Sequence, residues 1–208
     1  HHAIEDIAIM RSIPNMTVLA PGDAKETRQV LEAALGCFGP VYIRLCASDA
    51  EDVYGANDNF SIGKATKLRE GSDLTIITTG AMMHNGVKAS ERLREAGIKA
   101  RVLQMASIKP IDQEAIKKAA DDTGCIVTIE EHNIIGGLGG SVCEIAAERG
   151  SVKVKRIGIN DHFFSVGSHS CLMKQEGLFV ENIVRIILSF IKKEEVRHEN
   201  KENRKFAL

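Results

Sequence analysis

Leu74-Thr75-Ile76-Ile77-Thr78-Thr79-Gly80 is the stretch on which the fold turns. A short β-branched run closed by glycine is too brief for a buried helix and reads as a buried strand. A helical spacing follows through Met83, Val87 and Leu93 until Gly97 stops it, and Ala100 to Met105 makes a second strand. Asp112 then caps a helix, with Ile111 and Ile116 at the spacing of a hydrophobic staple, and Gly124 ends it. Ile126 to Ile129 is a third strand, Ser141 to Glu148 a third helix and Val152 to Ile159 a fourth strand. Val180, Ile183, Val184, Ile187, Leu188 and Ile191 fall on one continuous apolar face, the mark of a packed terminal helix. Strands alternating with helices through short Gly-marked turns predict right-handed βαβ units, and so an α/β fold with a parallel sheet.

Outward from that block, the first 70 or so residues read differently. Ile4 to Met10 is predicted helical and Met16 to Leu19 a strand. Pro21-Gly22-Asp23 opens a helix through Leu35, and Val41 to Leu45 is another strand. Two strands bury too little surface to stand alone, so this stretch is expected to be the latter part of a second α/β domain. The expected organisation is therefore residues 1–46 as that partial domain, 47–72 as a polar linker, 73–191 as the parallel-sheet domain, and 192–208 as a charged, disordered tail.

Composition narrows the function. Among 208 residues, 27 Lys+Arg stand against 28 Asp+Glu, a balance that excludes a nucleic-acid partner bound through a basic surface. No apolar run approaches the ~20 residues that span a bilayer, so no membrane partner is expected. No signal-peptide pattern opens the chain. Cys37, Cys46, Cys125, Cys143 and Cys171 are scattered, without a C-x-x-C pair, and read as reduced thiols of a cytoplasmic protein. Trp is absent, so the core must be aliphatic.

Ligands of parallel α/β sheets bind outside the carboxyl ends of the strands. The third strand there leads into Glu130-Glu131-His132 and then Ile134-Ile135-Gly136-Gly137-Leu138-Gly139-Gly140 before a helix. Such glycines let a backbone approach an anion at a helix N-terminus. Close packing against another chain explains the loop at least as well, and the run is not a dinucleotide fingerprint because Val142 stands where a third Gly or Ala would fall. Gly167-Ser168-His169-Ser170-Cys171 lacks nucleophile-elbow spacing and reads as a polar loop, while His162 sits at the end of the fourth strand and could join the same edge. No H-x-x-x-H or H-x-x-E pair occurs, so no dedicated metal site is expected.

His1-His2-Ala3-Ile4-Glu5-Asp6-Ile7-Ala8, Met10-Arg11-Ser12-Ile13-Pro14-Asn15-Met16 and Ala20-Pro21-Gly22-Asp23 closely resemble the transketolase family. That family carries T-H-x-x-I-E-D-x-A…R-x-I-P-N…P-x-D in its pyrimidine-binding domain. The likeness continues through Gly39-Pro40-Val41-Tyr42-Ile43-Arg44, Thr78-Thr79-Gly80-Ala81, Lys109-Pro110-Ile111-Asp112, and Glu130-Glu131-His132 with Gly136-Gly137-Leu138-Gly139. These segments run in the family's order over nearly the whole chain.

The resemblance implies a thiamine-diphosphate and Mg²⁺ enzyme that moves a two-carbon ketol unit from a ketose to an aldose. The cofactor is the electron sink, and the protein orients it. The family holds the diphosphate and metal on an N-terminal domain, and its activating glutamate precedes the signature seen here. This chain is thus expected to begin within the pyrimidine-binding domain, to bind no cofactor or metal alone and to lack a catalytic residue of its own. Activity is expected only with the N-terminal section, in a homodimer or heterotetramer. Two substrate contacts are implied: His1, aligned with a histidine that meets the sugar's hydroxyl or phosphate end, and Arg44. The family's phosphate-binding arginine falls at Ala47, a loss worth ~1.5–3 kcal/mol of charge-assisted contact. Phosphorylated sugars remain the expected substrates, with the particular sugar open. Deoxyxylulose-phosphate synthase and the beta subunit of 2-oxo-acid dehydrogenases are related alternatives, and a non-catalytic dimerisation or assembly module is the alternative of another class.

Overall fold

The computed structural model describes residues 3–46, 52–55, 59–150, 152–163 and 165–205, with side chains as far as residue 192. In chain order the elements are α1 (Asp6–Ser12), β1 (Thr17–Leu19), α2 (Ala24–Leu35), β2 (Val41–Ile43), β3 (Thr66–Arg69), β4 (Leu74–Thr78) and α3 (Met82–Glu95). There follow β5 (Ala100–Gln104), β6 (Ser107–Lys109), α4 (Gln113–Thr123), β7 (Cys125–Asn133), α5 (Leu138–Ala147), β8 (Lys153–Ile159), α6 (His169–Gln175) and α7 (Val180–Lys205). No described helix is long and apolar enough to cross a membrane.

The larger sheet has the order β3-β5-β4-β7-β8, parallel except for β3, which pairs antiparallel with β5. The β-branched run from Leu74 forms β4 at the sheet's centre, and every residue of the strand is buried. On one face, α3, α6 and α7 pack Val87, Leu93, Leu172, Ile183 and Ile187 against Ile76, Val102 and Ile129. On the other, Ile116 and Ala119 of α4 and Val142 of α5 cover Ile77, Leu103 and Ile126. The staple residue Ile111 packs in that second core, and Gly124 closes α4 in the left-handed conformation as its position predicts.

The smaller sheet, β2-β1-β6, joins two stretches that are distant in sequence. β1 and β2 are parallel, and β6 runs antiparallel to β1 with Val18 opposite Lys109 and Leu19 opposite Ser107. The partial N-terminal unit thus borrows its third strand from within the stretch expected to form the C-terminal domain. It shares a core as well, because Ile7, Val18 and Ala20 pack with Ile77, Met105 and Ile108.

Several expectations are corrected. β3 lies inside the stretch expected to be linker, where its alternating Thr66-Lys67-Leu68-Arg69 covers the edge of β5. α7 continues as helix through Lys205, where a disordered charged tail was expected from residue 192. α5 starts at Leu138 rather than Ser141, and β7 runs four residues past Ile129, both because polar side chains at the tip of β7 find partners at the start of α5.

Asp23 shows how the first unit is stitched. One carboxylate oxygen caps α2 by accepting from the Glu26 N–H at 2.8 Å, and the other accepts from the N–H groups of Val53 and Tyr54 at 2.9 and 2.8 Å. Removing both functions leaves three N–H groups without acceptors. Asp23→Ala is expected to lower stability by about 2–3 kcal/mol, and Asp23→Asn by less, in urea unfolding monitored by circular dichroism.

Candidate functional site between the two sheets

β7 outruns its hydrophobic core because polar side chains at its tip have polar partners waiting. Glu130 and His132 are both fully buried. The Glu130 carboxylate accepts from the Leu138 N–H at 2.7 Å and the Gly139 N–H at 2.8 Å, the first two amides of α5. These are orphan donors at the positive end of a helix, and a carboxylate there is a natural acceptor. The helix consequently begins three residues before its apolar pattern does. A Cβ on Gly137 would sit on Glu130 Oε2 and 2.6 Å from His132 Nδ1, and one on Gly139 would lie 2.8 Å from Thr128 Oγ1. The glycine run therefore makes room for this chain's own side chains.

His132 does something its sequence position does not disclose. Its Nε2 accepts from the Ala8 N–H at 3.3 Å, so Nδ1 carries the proton and faces the Asn133 carbonyl at 2.7 Å. Burial holds this imidazole below its ordinary pKa, in the neutral tautomer that acceptance at Nε2 requires. At the other end of α1, Lys109 Nζ donates to the Arg11 and Ile13 carbonyls at 2.9 and 2.6 Å. Arg11 in turn reaches the Gly136 carbonyl and, at 2.8 Å, Glu144. The Gly80 N–H donates to the Ala20 carbonyl at 3.0 Å, so the turn before α2 sits on the carboxyl end of β4. The sheet edge expected to bind a ligand is thus largely occupied by the first unit.

What stays open is a cavity of about 480 Å³ between the end of β2 and α6. Asp6, Arg44, Cys46, Glu131 and His169 line it. Arg44 Nε lies 3.2 Å from Asp6 Oδ2, and its Nη2 donates to the Ala3 carbonyl at 3.1 Å. The Tyr42 hydroxyl donates to the same Asp6 oxygen at 2.8 Å, and burial with the adjacent carboxylate pushes that phenol up to about 12. Among the described residues, Asp6 Oδ1 is buried without a hydrogen-bond partner. Opposite, Glu131 pairs with His169 Nε2 at 2.9 Å and takes the Cys46 thiol at 3.8 Å. Burial and the Glu131 charge push that thiol up to about 11.

Of the two site residues that the family resemblance implied, Arg44 lies on this cavity, whereas His1, like Ala47, lies outside the described residues. His162 does not join it. Its Nε2 meets Glu176 at 2.9 Å, and it lines a neighbouring groove with Phe163 and Val166. The segment read as a polar loop is instead the start of α6, where Ser168 caps the helix and delivers His169 to Glu131. His169, Glu131 and Asp6 were missed as site residues because they meet only through tertiary packing. The S-x-x-C spacing of a cap was the one local hint.

With fold and cavity in view, comparison with known proteins places the class. The family described as the transketolase C-terminal domain matches residues 63–183, and that of the transketolase pyrimidine-binding domain matches residues 1–51. The chain belongs to the transketolase family. A Methanocaldococcus jannaschii protein provisionally designated a transketolase C-terminal section is 47% identical over 93% of this chain and 61% of its own length. A subunit of the apulose-4-phosphate transketolase of Phocaeicola vulgatus is 43% identical over 93% of this chain and 62% of its own. The solved structure of a split-gene transketolase, described as an inactive beta4 tetramer, superposes with a TM-score of 0.84 at 41% identity, covering 91% of this chain and 61% of that one. The chain thus spans about three fifths of the length of the relatives it matches.

Burial pushes the Glu130 carboxyl up to about 7, against the opposing pull of the Gly139 and Leu138 amides. A carboxyl raised in the folded state contributes stability that is complete below its unfolded pKa and is lost as pH rises through about 7. Glu130→Gln sets an amide NH₂ against one of the two helix donors and is expected to cost about 1–3 kcal/mol. Its deficit relative to the parent chain should be larger at pH 5 than at pH 8, read from paired denaturant curves. Gly137→Ala, whose Cβ would fall on Glu130 Oε2, should lose a comparable amount in the same measurement.

Proposed function

We propose that this chain is the C-terminal section of a thiamine-diphosphate-dependent transketolase-like enzyme of the cytoplasm. It would transfer a two-carbon ketol unit from a ketose to an aldose together with an N-terminal section. The observation that carries the reading is the polarity of the cavity between the two sheets. Asp6, Tyr42, Arg44, Cys46, Glu131 and His169 all line it, and among the described residues Asp6 Oδ1 is buried with no hydrogen-bond partner. A buried acceptor in that state favours a ligand that brings hydroxyl donors, as a sugar does.

Arg44 faces the cavity as the chain's proposed cation toward the substrate, with His1 as the second contact. Its guanidinium is partly neutralised by Asp6, so it offers direction more than net charge. A phosphorylated sugar is the proposed substrate class, with Arg44 standing in for the arginine absent at position 47. The described residues do not suit the cofactor's anchor: their one three-donor group combines a thiol, an imidazole and a carboxylate, whereas Mg²⁺ takes oxygen ligands. We therefore assign thiamine diphosphate and Mg²⁺ to the N-terminal section, in a homodimer or heterotetramer of the two sections. The split-gene relative, described as inactive in its beta4 form, supports the need for such a partner.

The test is reconstitution. Neither section alone should transfer ketol units, and the mixture with thiamine diphosphate and Mg²⁺ should. Association without turnover over a panel of ketoses and aldoses would leave an assembly module instead. In the active pair, Arg44→Ala should reduce kcat/KM about tenfold or more with cofactor affinity unchanged, and Arg44→Lys should restore only part of that loss. His1→Ala should likewise weaken sugar use and not cofactor binding.

A further inference from the structure

The cavity that Arg44 lines also carries a group of side chains that sugar binding does not account for. Cys46 Sγ, Glu131 and His169 Nε2 lie within 4.8 Å of one another, and they come from three separate elements: the segment leaving β2, the tip of β7 and the first residue of α6. We propose that these three residues form a binding site for a divalent transition-metal ion of the zinc type, clamping the end of β2 to β7 and α6.

Three features support the site. The donor set is one thiol, one imidazole and one carboxylate, the combination that favours Zn²⁺ and selects against Mg²⁺ or Ca²⁺. The spacing is close to what a tetrahedral ion needs. Bonds of ~2.0–2.3 Å put neighbouring ligand atoms about 3.3–3.8 Å apart, and one donor atom from each residue already lies within 4.8 Å of the others, with 3.8 Å from Cys46 Sγ to Glu131 Oε2 and 2.9 Å from Glu131 Oε1 to His169 Nε2. The ligands are also held in place. Glu131 sits between the locked Glu130 and His132, and His169 is the first residue of a helix capped by Ser168.

Charge supports the same assignment. Zn²⁺ displaces one proton from the Cys46 thiol to solvent, so a dication meets a thiolate and a carboxylate and the site is neutral. The nearby Arg44 is already paired with Asp6 and adds little repulsion. The three ligands leave the fourth position on the cavity side, because His169 is the exposed member of the group. The absence of H-x-x-x-H spacing is no obstacle, since no two of the ligands are close in sequence.

Titration of the metal-free full chain with Co²⁺ reads the site directly, because a thiolate ligand gives a thiolate-to-cobalt charge-transfer band. The expected result is one Co²⁺ per chain with that band, displaced by Zn²⁺. Cys46→Ser should abolish the band. Glu131→Gln and His169→Ala should weaken binding more than about tenfold, and Cys171→Ser, an exposed thiol outside the group, should change nothing. Circular dichroism of each variant controls for folding, and His169→Ala, an exposed first-turn residue, keeps the test decisive if Cys46→Ser does not fold. Zn²⁺ should also raise the Tm of the parent chain and not that of His169→Ala. No charge-transfer band, a band that survives Cys46→Ser, or equal affinity in His169→Ala would overturn the proposal. The site stands or falls by metal binding, independently of whether ketol transfer is observed.

Discussion

A carboxylate with no water around it needs donors, and Glu130 finds them in the first two amides of α5. That requirement explains more of the molecule than any hydrophobic contact does. The strand must extend to bring Glu130 to the helix, the helix must begin early enough to offer its free amides, and position 137 must lack a side chain. Once β7 reaches that far, the next inward-facing residue, His132, emerges where α1 begins. A polar pair that serves the parallel sheet internally thus also defines the surface on which the N-terminal unit is seated.

That seating is made by helix-end chemistry. A helix of only seven residues has more unpaired amides and carbonyls than internal hydrogen bonds, so α1 has little stability of its own. Its amino end is met by the neutral His132 imidazole and its carboxyl end by the Lys109 ammonium, each of the right polarity. Both belong to the C-terminal unit. β6 adds a strand to the small sheet, and a single aliphatic core runs beneath both units. The described part of the N-terminal unit is therefore held against the other one by hydrogen bonds, a shared strand and a shared core.

Periodicity made the parallel sheet legible because β4, β5, α4 and α7 satisfy their local preferences and their tertiary roles with the same residues. Ile183 and Ile187 are buried where a 3.6-residue period puts them, and Gly124 takes the left-handed conformation its place after α4 demands. The misses share one cause. β3 and β6 are short edge segments whose strand character comes from the neighbour they pair with, so Thr66–Arg69 and Ser107–Lys109 carry little signal of their own. The start of α5 was hidden because its cap is a carboxylate eight residues upstream on a strand. Of the site, Arg44 was reached only through resemblance, and the Glu131–His169 pair joins residues 38 apart. Local pattern cannot encode such a meeting, although Ser168 three residues before Cys171 marked the helix start that creates it.

The cavity inherits its character from this joint. Asp6, Tyr42 and Arg44 come from the N-terminal unit, and Glu131 and His169 from the other, so neither unit has a binding wall by itself. The Arg44 guanidinium spends part of its hydrogen-bonding capacity on Asp6 and Ala3, which fixes its direction while reducing the field it projects. With Asp6 and Glu131 counted against it, the described wall is not a strongly cationic pocket. A ligand bound there would rely on directed hydrogen bonds, and those discriminate by the placement of each donor and acceptor, since a missing partner leaves a buried group unsatisfied. Because His132 holds α1 through Ala8, two residues after Asp6, a shift of the joint by an ångström would move the acceptor and the guanidinium together. The placement of the cavity's polar groups and the integrity of the joint are consequently set by the same contacts.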